Sequence, residues 1–357
     1  MDKINNIMRY ISNFDDIQDL ISLNMNQVVK NHFNLKKITA TCVVLTYNEE
    51  RCIKRCLEHI IEVFDEIIII DTGSNDSTKK IISEFRNQKI KLFDFKWCDN
   101  FSKVRNFGID QASSDWIVFI DADEVFKVSD KDKLYEILSL FDSLMQKKDI
   151  SLSFEIHEKN TACTFDDIPR VIYKNGNCKY YGNVHEEIRS NKGKAILIKT
   201  NIILFHDGYS KEVISKKDKK KRNVLLLNKC IENEPNNLRW YYYYSRDGIG
   251  FINNIENLKF VESILDKYED EFKLESLEYN TEYYFKLIMV YMDLLIKVGK
   301  ANKINQIIKK YNLEKSDFYD IQFYKSLSKL INIEIEYEIL LKELFEFRKN
   351  NFEKQDS

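Results

Sequence analysis

The apolar run Trp116-Ile-Val-Phe-Ile120 stops abruptly at Asp121-Ala-Asp123. Unbroken apolar runs of this length suit strands covered on both faces, which occur in parallel sheets backed by helices. Two earlier segments read the same way, Thr41–Thr46 and Glu66–Ile70, and Lys89–Phe95 reads as a further strand. Between them Arg51–Phe64 and Phe101–Ala112 carry apolar residues at helical spacing, and Ser74 to Asp76 can cap a helix beginning near Ser77. The alternation predicts βαβαβαβ: an α/β fold with a mostly parallel sheet, flanking helices and right-handed crossovers.

Polar residues collect where these strands end. Thr46, Tyr47 and Glu49 follow the first, Asp71 and Ser74 the second, Asp121 and Asp123 the fourth. Open α/β sheets bind ligands at that edge. In an extended chain residues i and i+2 point to one side, so Asp121 and Asp123 can converge on one hard cation, leaving sites for substrate phosphates. Tyr47 can pack on a base, Asp71 can accept from a uracil-type N–H, and Arg105 can meet phosphate. Each of these taken alone also reads as an ordinary cap or surface residue. No Gly-x-Gly-x-x-Gly follows any strand, which weakens a Rossmann-type dinucleotide fold. Four apolar residues before Asp-x-Asp-x-Val also resemble the nucleophile strand of haloacid-dehalogenase-type phosphatases. That family opens on its Asp-x-Asp strand, whereas three strands with polar ends come first here.

Composition narrows the partners. Lys+Arg 55 against Asp+Glu 57 leaves a net charge of −2, which argues against nucleic acid. No apolar run is long enough to span a membrane, and Met1–Leu20 lacks the apolar core of a signal peptide. The 7 cysteines form no C-x-x-C pair, so free thiols and a cytoplasmic location are expected. Residues 1–37 read as one or two short amphipathic helices, a cap for the next domain or a homodimer contact.

From Asp149 to Phe205 the pattern becomes β-rich, with Lys174-Asn-Gly-Asn177 as a hairpin turn. Two polar clusters interrupt it, Gly182-Asn-Val-His-Glu-Glu-Ile188 and Phe205-His-Asp-Gly-Tyr209. His185, Glu186 and Glu187 are the best source of a catalytic base, since burial or a neighbouring carboxylate raises a glutamate toward working pH. His206 is a candidate for completing a metal shell with Asp121 and Asp123, because imidazole binds Mn²⁺-like ions. Arg222 closes a basic run from Lys216 and can reach a diphosphate. Beyond it the chain reads as helical, broken at Glu234-Pro-Asn-Asn237, with further segments near 254–268, 279–298, 301–311, 316–332 and 334–350. Paired helices of this size predict tetratricopeptide-like repeats that offer a concave face to a peptide or an identical subunit. The expected organisation is a helical segment 1–37, an α/β domain 38–210 and an all-α domain 211–357.

Val43-Val-Leu-Thr-Tyr-Asn-Glu-Glu50, Asp71-Thr-Gly-Ser-Asn-Asp-Ser-Thr78, Phe101-Ser-Lys-Val-Arg-Asn106 and Phe119-Ile-Asp-Ala-Asp-Glu124, in this order, resemble a family 2 glycosyltransferase of GT-A fold. With the Val184-His-Glu-Glu187 and His206-Asp-Gly-Tyr209 clusters and the helical tail, the chain is similar to the sublancin-type peptide S-glycosyltransferases. The resemblance implies an inverting, Mg²⁺- or Mn²⁺-dependent transfer from a UDP-sugar, typically UDP-glucose, to a cysteine of a bacteriocin-type precursor peptide. It implies that a glutamate of the Val184–Glu187 cluster takes the acceptor proton and that Thr46, Tyr47, Glu49, Asp71, Arg105, Asp121 and Arg222 hold the donor. A Ser/Thr or carbohydrate acceptor, and a non-catalytic peptide-binding scaffold, are the alternatives.

Overall fold

β1 (Ala40–Thr46) is buried along almost its whole length and pairs in parallel with β2 (Glu66–Asp71) on one side and β4 (Trp116–Phe119) on the other. β3 (Ile90–Asp94) adds to β2 in the same direction. The helices between them, α1 (Ile53–Ile60), α2 (Thr78–Glu84) and α3 (Phe101–Gln111), return the chain for each parallel pairing. The predicted α/β pattern of the first four strands is thus the one found. The computed structural model describes residues 7–13, 37–158, 163–206, 216–273, 278–313 and 319–352.

Past β4 the sheet becomes mixed. The chain forms β5 (Glu124–Phe126), α4 (Lys131–Asp142), β6 (Ile150–Glu158), β7 (Thr164–Phe165), β8 (Pro169–Tyr173), β9 (Lys179–Tyr181), β10 (Glu187–Ser190), β11 (Gly193–Lys194) and β12 (Ile196–His206). The large sheet runs β3-β2-β1-β4-β8-β6-β12-β5, with β7 on β6, and β9, β10 and β11 make a small second sheet. β8 and β5 run antiparallel to their neighbours, while β12 lies parallel to β6. Lys174–Asn177 is therefore not a hairpin turn. It carries the chain from one sheet to the other, tied down where Asn177 donates from its backbone to Lys148 O at 2.7 Å and from Nδ2 to Asp149 Oδ1 at 2.7 Å.

Aliphatic and aromatic residues fill both faces of the sheet, with Val44, Ile67, Ile69, Val118 and Leu152 on one and Val43, Ile68, Ile70, Ile117 and Phe119 on the other. Most of the expected N-terminal helices lie outside the described residues. Ile7 and Ile11 are buried, and Ile11 bridges to Thr200 in β12.

Contacts divide the chain into two units, Met1–Val213 and Ile214–Ser357. The second holds α5 (Lys216–Asn233), α6 (Leu238–Gly248), α7 (Asn254–Lys273), α8 (Glu278–Lys297), α9 (Ile304–Lys310) and α10 (Tyr319–Phe352). α5 packs on α6, and α7 and α6 both pack on α8, the pairwise stacking of tetratricopeptide-like repeats. The break at Glu234–Asn237 is locked by Trp240, whose Nε1 donates to Glu234 Oε2 at 2.8 Å, and by Tyr241 donating to Pro235 O at 2.9 Å. The two terminal helices expected at 316–332 and 334–350 are one helix. No Gly or Pro separates them, so nothing ends the first. Among the described residues no helix is long and apolar enough to cross a membrane.

Candidate active site

Parallel pairing brings the ends of β1, β2 and β3 level, with Thr46 beside Asp71 and Asp71 beside Asp94. Asp71 is fully buried, and its carboxylate accepts from Thr46 Oγ1 at 3.1 Å and from the backbone N–H groups of Gly73 and Ser74 at 3.0 and 2.8 Å. Burial works against the charge, but these donors outweigh it and hold Asp71 below the usual carboxylate range. Its first task is thus to shape the loop after β2. That loop clasps the one after β1. Asn48, at φ 57, donates to Ser74 Oγ at 2.8 Å and accepts from Asn75 N at 2.9 Å, while Glu49 N donates to Thr78 Oγ1 at 2.7 Å. Asparagine tolerates this left-handed backbone better than most residues. The clasp leaves Tyr47 at the rim, 57% exposed. Glu49 is half-buried and accepts from Cys52 Sγ at 3.0 Å; burial pushes its carboxyl up.

The acidic segment after β4 does not stay extended. The strand ends at Phe119, and Asp121–Glu124 form a turn closed by Glu124 N donating to Asp121 O at 2.9 Å. The two aspartates take different partners. Asp121 takes two guanidiniums, Arg170 Nη1 at 3.0 Å and Arg105 Nη2 at 3.3 Å. Asp123 faces His206, with Nε2 3.2 Å from Oδ2. β12 supplies that histidine because it pairs antiparallel with β5, setting His206 beside Glu124.

Arg170 and Glu124 were not singled out by the sequence, yet they complete the cluster. Arg170 Nη2 donates to Glu124 Oε1, and Glu124 Oε2 accepts from Asp121 N at 2.8 Å. β8 runs antiparallel against β4 with Val171 opposite Val118, so Arg170 emerges where β4 ends. An arginine opening the otherwise apolar Arg170-Val-Ile-Tyr173 was the available signal. Burial opposes the charge on Asp121, but the two guanidiniums hold it well below the carboxylate range. Glu124 moves the other way, since burial and the charges of Asp121 and Asp123 outweigh Arg170. Hydrogen bonding to Asp123 raises His206.

Arg105 also ties in the small sheet. Its Nε donates to Glu186 Oε1 at 2.8 Å, and its guanidinium lies over the rings of Phe119 and Tyr180, 5.5 and 5.3 Å from their centroids. Asn106 on the same helix exchanges two 2.9 Å hydrogen bonds with the backbone of Tyr180. Gly182 (φ 98) and His185 (φ 49) bend the intervening loop. The next glutamate points elsewhere. Glu187 opens β10, is buried and pairs with Arg189 at 2.6 Å. The structure thus gathers Arg105, Asp121, Asp123, Glu124, Arg170, Glu186 and His206, with Thr46, Tyr47, Glu49 and Asp71 on the neighbouring strand ends. Arg222 belongs to the second unit, where its Nη2 donates to Asn223 Oδ1 at 3.1 Å. Asp207 to Tyr209 lie outside the described residues.

Among the described residues no three His, Cys, Asp or Glu side chains gather closely enough to hold a metal ion by themselves. Asp123 and His206 nevertheless fit a shared cation, since two donors each about 2.1 Å from an ion at right angles stand about 3 Å apart. A carboxylate and an imidazole leave positions for phosphate oxygens.

The description Glycosyl transferase family 2 matches residues 41–193. The SPbeta prophage-derived glycosyltransferase SunS of Bacillus subtilis is 32% identical over 244 residues, covering 68% of this chain and 55% of that protein. A TPR repeat-containing protein of Synechococcus elongatus is 40% identical over 83 residues, 23% of this chain and 20% of that one. The chain spans about half the length of SunS. Among solved structures, Staphylococcus aureus TarS 1–349 in complex with UDP-GlcNAc covers 83% of this chain and 92% of its own, at 13% identity and a TM-score of 0.40.

Proposed function

We propose that this chain, a member of glycosyl transferase family 2 through residues 41–193, moves a sugar from a nucleotide sugar, UDP-glucose or another UDP-hexose, to a cysteine thiol of a peptide. The observation that carries the reading is the single guanidinium of Arg105 bonded to both Glu186 and Asp121. It joins a general-base candidate to the sheet edge where donor phosphates bind, so both ends of a displacement meet in one place.

Tyr47 packs on the base at the rim, and the Asp71 loop lines the nucleoside pocket. Arg105 and Arg170, paired with Asp121, Glu124 and Glu186, hold these carboxylates in place at the edge of the diphosphate site. Asp123 and His206 would hold a Mg²⁺ or Mn²⁺ ion, which supplies charge stabilisation to the leaving diphosphate. Glu186 accepts the thiol proton as sulfur attacks C1, the C–S bond forms, the C1–O bond to the diphosphate breaks and the anomeric centre inverts. A thiol of reference pKa about 8.5 asks less of this base than a hydroxyl does. Glu187, held in the small sheet by Arg189, takes no part in the proton transfer. The helical unit is the surface for the peptide, as helix-repeat stacks are in general.

The test is mass spectrometry of cysteine-containing precursor peptides incubated with a panel of nucleotide sugars and Mg²⁺ or Mn²⁺. A hexose increment lost on Cys→Ser in the peptide is expected. An increment that survives that change moves the acceptor to serine, threonine or a carbohydrate. No increment and no UDP-sugar turnover with any peptide rejects the transferase reading.

A further inference from the structure

The loop that carries Glu186 runs up the first turns of α3 and returns. It leaves β9, where Asn106 grips the backbone of Tyr180, and comes back to Arg105 through Glu186. Between these two anchors Asn183 reaches the N-terminal end of the same helix. Its backbone oxygen accepts from Phe101 N at 2.9 Å, and its Nδ2 donates to Asp99 O at 2.8 Å. The residue is 8% exposed. Asn183 thus straddles Asn100, whose side chain caps α3 by accepting from Lys103 N at 2.8 Å. The N–H of Phe101 is one of the donors a helix cannot satisfy from within, and the loop supplies its acceptor.

The receiving side is fixed as well. Asp99 sits at φ 54, a left-handed backbone that aspartate tolerates better than most residues. Trp97 holds it there: its Nε1 donates to Asp99 Oδ1 at 2.9 Å, while its ring packs edge-on to Phe101 with centroids 4.7 Å apart. Phe101 and Arg105 lie about one turn apart, roughly 6 Å along the helix axis. The bent segment from Asn183 to Glu186 is long enough to match that rise. Its bends fall at Gly182 and His185, both at positive φ and one on each side of Asn183. A loop tied at Tyr180 and Glu186 alone would swing about its two feet. We infer that Asn183 is the positioning residue for Glu186, setting the reach of its carboxylate by pinning the loop tip to the start of α3. The inference rests on the reading of Glu186 as the proton acceptor. Asp99 is exposed, so water can replace a lost donor there, and removing the Asn183 amide should displace the loop rather than unfold the domain.

The experiment places Asn183→Ala in two backgrounds, wild type and Glu186→Gln, with UDP-glucose and a cysteine-containing peptide as substrates. In the wild-type background kcat should fall about tenfold while the donor KM stays within about twofold. In the Glu186→Gln background nothing further should be lost, because no base remains to be misplaced. A merely structural role would slow both backgrounds alike. Trp97→Phe keeps the ring on Phe101 and loses the bond to Asp99, so it should give the same pattern at about threefold. Hydrogen exchange supplies a readout that needs no substrate. In Asn183→Ala the Phe101 amide, bonded to Asn183 O in the wild type, should exchange about tenfold faster, while amides of β1 and β2 keep their protection. Wild-type kcat in Asn183→Ala, equal losses in both backgrounds, or unchanged protection of Phe101 overturns the proposal. Wild-type kcat in Glu186→Gln alone is a different failure: it removes the base itself, and the positioning role with it.

Discussion

Arg105 donates from Nε to Glu186 at 2.8 Å while its Nη2 reaches Asp121 at 3.3 Å, so one side chain sets the separation between two carboxylates from distant parts of the chain. Glu186→Gln keeps the shape and an acceptor for Arg105 but removes the proton acceptor. Transfer should fall by about a hundredfold or more, with UDP-sugar affinity within about twofold of wild type. Arg105→Lys keeps the charge but loses the fork that serves both partners, and should lower kcat more than it raises the donor KM. Steady-state kinetics on both variants checks this. Equal kcat values for Glu186→Gln and wild type would remove Glu186 from the chemistry.

Asp121 and Asp123 should part company under mutation. Asp121 joins two largely buried guanidiniums while its own side chain is 39% exposed, so Asp121→Asn should cost about 1–2 kcal/mol in urea unfolding, less than the loss of one partner of a fully buried ion pair. Asp123 touches His206 at a partly exposed rim, and Asp123→Asn should cost under about 1 kcal/mol. Its effect should instead be the loss of Mn²⁺-dependent UDP binding in calorimetry. The opposite assignment of the two losses would defeat the division of labour.

How much of this was legible depended on the range of the interaction. The parallel half was readable because strands buried on both faces leave unbroken apolar runs, as in Glu66–Asp71 and Trp116–Phe119. The partners of Asp121 and Asp123 were not legible, because the turn between them is set by Glu124 reaching back to Asp121 N, a choice the local pattern does not contain. Arg170 went unassigned because its partner Asp121 lies 49 residues away and only the antiparallel insertion of β8 joins them. The adjacent glutamates of Val184–Glu187 look alike in sequence. They part at the start of β10, which aims Glu186 at Arg105 and Glu187 at Arg189.

Glu66 gives the α/β unit an acid limit away from the site. Burial works against its charge, but Lys91 at 2.6 Å, Thr41 at 2.6 Å and Ser113 N at 2.8 Å lower it to about 2. A depressed carboxyl stabilises the fold above its unfolded value of about 4.3, and that contribution is lost as pH falls through the folded value. After discounting for screening, Glu66→Gln should cost on the order of 2 kcal/mol at pH 7. It should also flatten the fall in stability between pH 4.5 and pH 2. Urea unfolding across that interval gives both quantities, and parallel curves for variant and wild type would count against the assignment.

Gly108 decides how near α3 comes to the sheet, and with it where Arg105 stands one turn earlier. A Cβ at this position would meet Val43 Cγ1 at 2.6 Å and Ile70 Cδ1 at 2.9 Å, both on buried strands. Alanine would ordinarily stabilise a helix by up to about 1 kcal/mol over glycine, whereas overpacking costs about 1–3 kcal/mol. Crowding should win, so Gly108→Ala should lose about 1–2 kcal/mol in urea unfolding. Because α3 must lift to relieve the contact, kcat should fall further than stability requires at a temperature where the variant is fully folded. Val43→Ala removes the nearest clashing methyl and leaves only Ile70 Cδ1, so the double variant should be more stable than the two single losses added together. Strict additivity, or a stabilised Gly108→Ala, would mean that the approach of α3 is not what places Arg105.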